Sequence, residues 1–256
     1  MPSKEQIKKE LAAMGISGTD TVLIHTSLKA VGHVEGGPDA LIDAFCEHLD
    51  QGLFLIPTHT WANVNRHQPI YDPTVSEPCI GLVPRTAAKR TDGVRSLHPT
   101  HSVWAKGVGA EEFVRGEETA ETPCPVGGVW CRLADVGAKI LLIGVGLERN
   151  TFIHAVDEMA GLDRVTHAPW QVTVLAPNGQ RHTHLFHNHE HAGSENFGNF
   201  EKALTERGAI TRATLGNAPV MIVDAAKCRD ILLDIYSRTT AHLCLIPHEI
   251  PEHLWR

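Results

Sequence analysis

No apolar run in this sequence approaches the roughly 20 residues that a membrane-spanning helix needs, and no run of Lys and Arg stands out either. The first absence excludes an integral membrane protein. The second, together with a formal net charge of -7, removes the electrostatic footprint of a nucleic-acid or anionic-membrane binder and favours a cationic partner. CxxC spacing is also missing. The six cysteines stand apart at 46, 79, 124, 131, 228 and 244, which reads as a set of reduced thiols in a cytoplasmic protein. The opening stretch "MPSKEQIKKELAAMG" is a charged amphipathic helix without the apolar centre of a signal peptide. Internal repeats and low-complexity segments are likewise absent.

What is present suffices for a full core: 256 residues, of which 42% are hydrophobic and 21% charged. Extended and helical segments alternate, so the expected fold is α/β, a mixed central sheet flanked by helices with a small β-rich C-terminal insert, in a single domain over 1–256. "TVLIHTS" (21–27) and "GLFLIPTHTW" (52–61) read as strands, each leading into a loop, and Pro38 opens a helix as a first-turn residue. The polar, proline-bearing stretch 62–78 is too long for a plain connection. "VRSLHPTHSVWAKG" (94–107) is a His-rich extended segment. "KILLIGVG" (139–146) is a buried strand, and "WQVTVLAPNGQRHTHLF" (170–186) is a hairpin turning at Asn178-Gly179. Helices are expected near 197–207 and over 224–238, with short extended stretches between.

After the 139–146 strand comes "RNTFIHAVDEMAG". Asn150 suits an N-cap and Gly161 a stop, so His154, Asp157 and Glu158, at i, i+3 and i+4, share one helix face. A carboxylate on that face can hold the imidazole. A helix start that follows a parallel strand's carboxyl end is also where open α/β sheets bind ligands.

The blocks "VLIHTSLKAVGHVEGGPDALIDAF", "LIPTHTW", "YDPTVSEPCIGLVP", "SLHPTHSVWAKG" and "TPCPVGGVWCRLADVGAKILLIGVGLERNTFIHAVDEMAG" occur in this order over about residues 5–235. In that order they resemble the aminoglycoside N3-acetyltransferase family, which differs from the GNAT acetyltransferases and binds acetyl-CoA on its own α/β fold. The resemblance implies acetyl transfer from acetyl-CoA to an amine, with no metal. It implies a cofactor loop at Thr26, Ser27, Leu28, Lys29, Val31 and Gly32, and a second wall of the cofactor channel with His98 and Ser102 as its polar members. It makes His154 the general base, partnered first by Asp157 and second by Glu158, in a direct ternary-complex attack. Such chemistry fits the residue types: an alkylamine must lose a proton to attack a thioester, and imidazole has the pKa for that task.

The departures from the family concern the substrate. The loop after the second strand reads "ANVNRHQP", with Asn63 and Asn65 where better-known members carry acids, and the segment after the hairpin reads "FHNHEHAG". Candidate substrate contacts are therefore Asn63, Asn65, Asp72, His187, His189 and Glu190, along with Asp157 and Glu158. Three other readings stay open. His187, His189 and His191 would share a strand face and, with Glu195, could hold Zn²⁺ or Fe²⁺. Cys124 or Cys131 could accept the acetyl group in a ping-pong route. The same fold could also bind an amine or CoA without turnover.

Overall fold

The computed structural model describes residues 1–162, 165–190, 193–239, 241, 243 and 248–256. Ser3 caps the first helix, α1 (Lys4–Ala13), by accepting the Gln6 N–H, and the chain leaves that helix through Gly15 at φ +80°. Strand β1 (Thr21–Thr26) follows, buried on both faces as a central parallel strand must be. Next come the single turn α2 (Leu28–Val31), α3 (Gly37–His48), β2 (Leu53–Pro57) and β3 (Ile70–Tyr71). α4 (Leu82–Lys89), β4 (Val94–Arg95), β5 (Val103–Gly107), α5 (Ala110–Val114), α6 (Val129–Asp135), β6 (Lys139–Ile143) and α7 (Phe152–Met159) make up the middle of the chain. β7 (Trp170–Leu175), β8 (Arg181–Phe186), α8 (Glu201–Glu206), β9 (Ile210–Leu215), β10 (Ala218–Asp224) and α9 (Ala225–Ser237) complete it.

Seven strands form the main sheet in the order β4-β5-β2-β1-β6-β10-β9. The centre is parallel: β1 lies between β2 and β6, with Val22 opposite both Phe54 and Lys139. Antiparallel pairs close both flanks, β5 on β2 and β10 on β6. Side chains alternate along β1. Leu23 faces a core built from α6, α7 and α9, including Trp130, Phe152 and Tyr236, whereas Val22 and Ile24 face the layer of α1 and α3, including Ile7, Leu41 and Phe45. Phe45 stacks on Phe54 at 4.8 Å between ring centroids. Among the described residues, no helix is long and apolar enough to cross a membrane.

The mixed sheet with flanking helices agrees with the sequence reading, and the hairpin turns where Asn178 and Gly179 stand, between β7 and β8. The insert is less local than expected. Its three-stranded sheet runs β3-β7-β8, and β3 comes from the 62–78 excursion, pairing in parallel with β7. That long connection reaches across to complete a second small core around Tyr71, Trp170 and Phe186. Two local readings change. Asn150 is not the cap of α7: a 3-10 turn at Leu147–Arg149 leads directly into Thr151, which is already helical, and no side chain caps the helix. β8 ends at Phe186, so His187 and His189 do not lie on a strand face; His189 makes only an isolated bridge through Val165. His191 lies outside the described residues, as does Cys244.

Candidate active site

β1, β2 and β6 all point their carboxyl ends at one cavity of about 650 Å³. This is where a parallel α/β core leaves a crevice, because the strands end and the chain turns away on either side. Thr26 and Val145 border it from the ends of β1 and β6, Pro57 and His59 from β2, and Thr100 and His101 from the turn between β4 and β5. His154 on α7, His189 after the hairpin, and Trp61 at the exposed rim complete the wall's main features.

His154 stands where the sequence placed it, on the cleft-facing side of α7, with its side chain only 12% exposed. Its Nδ1 lies 4.0 Å from Asp157 Oδ2, and Asp157 is fully buried, with Oδ1 accepting the Tyr236 hydroxyl at 2.6 Å. Glu158, one position on, has different partners. Its Oε1 accepts the Cys124 N–H at 2.9 Å and lies 2.8 Å from His189 Nε2, and its Oε2 accepts the Thr122 hydroxyl at 2.5 Å. The two acids thus anchor different groups. They meet again through the rings, since His189 packs on His154 with centroids 4.5 Å apart.

Of the other residues read from sequence, Thr26 and Asn65 line the cavity, whereas Ser27, Leu28, Lys29, Val31 and Gly32 are not part of its lining. The reason is local. Ser27 Oγ caps a one-turn helix, and the Ala30, Val31 and Gly32 N–H groups bond back to Ser27 and Leu28 carbonyls. His98 and Ser102 are fully buried just under the wall that Thr100 and His101 present. His98 Nδ1 accepts the Thr100 and His101 N–H groups, which leaves its Nε2–H to donate to the Thr122 carbonyl at 2.9 Å. Ser102 and Thr58 share a 2.9 Å hydroxyl contact. Asn63, Asp72, His187 and Glu190 are outside the wall. Asn63 bonds the Glu77 carbonyl, Asp72 the Thr74 hydroxyl, and His187 lies 2.6 Å from the Thr166 carbonyl.

Sequence reasoning missed the neutral imidazoles at the back of the cavity. His25 (8% exposed) and His59 (5%) are buried there; burial pushes His25 down to about 3 and His59 well below the ordinary imidazole range. His101 packs on His59 at 4.6 Å and is lowered in the same way. Each stands at or near the end of a strand, His25 next to last in β1, His59 two residues past β2 and His101 two residues before β5, in "IHTS", "PTHT" and "PTHS", which was the one available signal. Among the described residues, no three His, Cys, Asp or Glu side chains converge as a metal cage requires. Burial raises the Cys124 thiol well above its ordinary value and Cys131 to about 11, leaving neither poised as a thiolate.

Glu117 sits behind this wall on the segment that supplies Thr122 and Cys124. Fully buried, it accepts the Val129 N–H at 2.9 Å where α6 begins. Burial pushes its carboxyl up to about 7. Because this folded value exceeds the ordinary one, the neutral form is the one folding favours. The stabilisation is complete below the ordinary carboxylate range and is lost as pH rises through about 7. The thermal midpoint is therefore expected to fall across that window, and in Glu117→Gln to stay flat over it. A slope equal in the two proteins would refute this account.

An imidazole and its buried carboxylate on the wall of a deep cleft, at the carboxyl ends of parallel strands, define an α/β enzyme. The aminoglycoside 3-N-acetyltransferase family profile matches residues 23–237. The chain belongs to that family and is an acetyltransferase. A Streptomyces paromomycinus relative, aminoglycoside N(3)-acetyltransferase VII, is 26% identical, with 90% of this chain and 88% of the relative covered. Two solved structures share the fold. AAC-IIIb with CoASH has a TM-score of 0.78 at 21% identity, covering 89% of this chain and 93% of that one. A mutant of the aminoglycoside acetyltransferase AAC(3)-IVa with a gentamicin also gives 0.78, at 23% identity, covering 92% and 88%.

Proposed function

We propose that this protein transfers the acetyl group of acetyl-CoA to an amine of an aminoglycoside or a related cationic amine by direct attack in a ternary complex, with His154 as general base. The observation that carries this reading is the position of His154: on the cavity wall, nearly buried, with the carboxylate of Asp157 beside Nδ1. That carboxylate favours the tautomer with its proton on Nδ1, which leaves Nε2 to take the proton of the attacking amine, and it stabilises the charged ring that results. Proton removal of this kind contributes about 10²–10⁴-fold. Glu158 and His189 make a second, adjoining pair that packs against the base and fixes its ring.

Acetyl-CoA supplies an activated acyl carbon and a thiolate leaving group. The residues proposed to hold it are those of the 26–32 turn, Thr26 foremost, with His98 and Ser102 supporting the opposite wall through Thr100 and His101. The fit rests on an unpartnered, buried Thr26 Oγ1 at the cavity edge and on the CoASH bound by AAC-IIIb. On the acceptor side, Asn65 and His189 are first contacts, with Asn63, Asp72, His187 and Glu190 further out. The protein is proposed to work in the cytoplasm as one catalytic unit over 1–256, and the unpaired Cys46, Cys79, Cys124, Cys131 and Cys228 suit a reducing compartment.

Direct attack and a ping-pong route differ in one measurable species. Incubated with acetyl-CoA alone, the protein should gain no acetyl group by intact mass, and thiol release should require the amine. A stoichiometric acetyl-protein that then discharges to amine would replace direct attack with a covalent route.

A further inference from the structure

The cavity wall says more about the acceptor than the family does. An ammonium group leaving water for a cleft needs an opposite charge or a full set of hydrogen bonds, and a polyamine multiplies that need. Among the described residues, the wall carries one carboxylate, Glu148. Its Oε1 already accepts the Gly146 N–H at 3.1 Å and stands 4.0 Å from Arg149 Nε. Three nearby acids are engaged elsewhere, Asp157 by Tyr236, Glu158 by Thr122, Cys124 and His189, and Asp72 by Thr74, and Glu190 is not part of the wall.

The wall offers uncharged hydrogen-bonding groups instead, and several lack partners. His25 Nε2, His59 Nε2 and both side-chain polar atoms of Asn150 are buried and unsatisfied, although their residues border the cavity. Such atoms are costly unless a ligand meets them, and hydroxyl groups, which both donate and accept, suit an amide and two neutral imidazoles. Both rings are held neutral by burial. Trp61, half exposed at the rim, and Phe197 add flat apolar faces for the C–H side of a ring.

We infer that the acceptor of this chain is an amine carried singly on an uncharged, hydroxyl-bearing body, a mono-amino sugar rather than a polycation. This rests on the acetyl-transfer reading above. The chain's net charge of -7 attracts cations through solvent, but that attraction is screened by salt and supplies no carboxylate inside the wall.

The test is thiol release from acetyl-CoA with D-glucosamine and with gentamicin, in wild type and in Asn65→Asp. Asn65 borders the cavity, and its Oδ1 accepts the His67 and Gln68 N–H groups. Aspartate keeps that acceptor and adds one charge, at the loss of the Nδ2–H bond to the Ala62 carbonyl. The wild type should show kcat/KM about tenfold or more higher for glucosamine, and that value should hold from low to high salt. In Asn65→Asp the preference should move about fivefold toward gentamicin. A higher wild-type kcat/KM for gentamicin, or a preference that Asn65→Asp leaves unmoved, would overturn the inference while acetyl transfer stands. No thiol release with either amine would overturn acetyl transfer and the inference together.

Discussion

Replacement of His154 by Ala should lower kcat for amine-dependent thiol release about 10²–10⁴-fold, with KM for acetyl-CoA nearly unchanged. The reasoning is that an ammonium cannot attack, and among the described wall imidazoles the alternatives to His154 are engaged or disfavoured: His189 Nε2 is taken up by Glu158 Oε1 at 2.8 Å. His25, His59 and His101 are held neutral by burial, and the charged form that each would have to adopt is the form their surroundings disfavour. His154 is the imidazole on this wall with a carboxylate 4.0 Å from Nδ1. Removing the ring also removes contacts to Phe197 at 4.7 Å and His189 at 4.5 Å. His154→Gln therefore serves as a companion that fills the space without accepting a proton at neutral pH. Both variants should fold, as judged by thermal midpoint, and both should lose turnover. Wild-type kcat in a folded His154→Gln would dismiss the general-base role.

The sequence carried the strand-to-helix unit around His154 because three signals agreed there: a buried apolar run, a helical period, and an imidazole spaced from acids by one turn. It could not distinguish the tasks of Asp157 and Glu158. Both lie on the same helix face, and only the neighbours brought by tertiary structure separate them. Tyr236, 79 positions later, takes one, while Thr122, Cys124 and His189 take the other. The local form of the cofactor turn was not legible either. "HTSLKAVG" gives no sign that Ser27 closes it into a single helical turn, in which the Ala30, Val31 and Gly32 N–H groups bond back to Ser27 and Leu28. His98 and Ser102 were legible as polar members of a functional block, yet the cavity is met by their neighbours Thr100 and His101, because His98 turns inward to bond the Thr122 carbonyl. The small sheet was half legible. A hairpin advertises itself by its Asn-Gly turn, whereas the two-residue β3, borrowed from a loop about 100 residues earlier, has no local pattern to read.

Asp157→Asn should cost about 10²-fold in kcat, leaving both KM values close to wild type, if Asp157 acts as proposed, positioning His154 rather than touching substrate. It is fully buried, and the Tyr236 hydroxyl holds its Oδ1 at 2.6 Å while Oδ2 faces the imidazole. Asparagine can keep the bond from Tyr236. It then presents an N–H toward Nδ1 in place of an acceptor, which favours the wrong tautomer and puts the ring proton on the nitrogen that should receive one from the amine. The spacing of 4.0 Å is longer than a hydrogen bond, and such contacts often tighten only in the substrate complex, so the expected loss is smaller than for a fully formed triad. Tyr236→Phe separates position from charge. It leaves the carboxylate in place but removes a donor from a buried anion, so stability should fall by about 1–3 kcal/mol and kcat by less than about tenfold. If Asp157→Asn raises KM for the amine and spares kcat, the carboxylate is a substrate contact, and the proton taken by His154 must be managed without it.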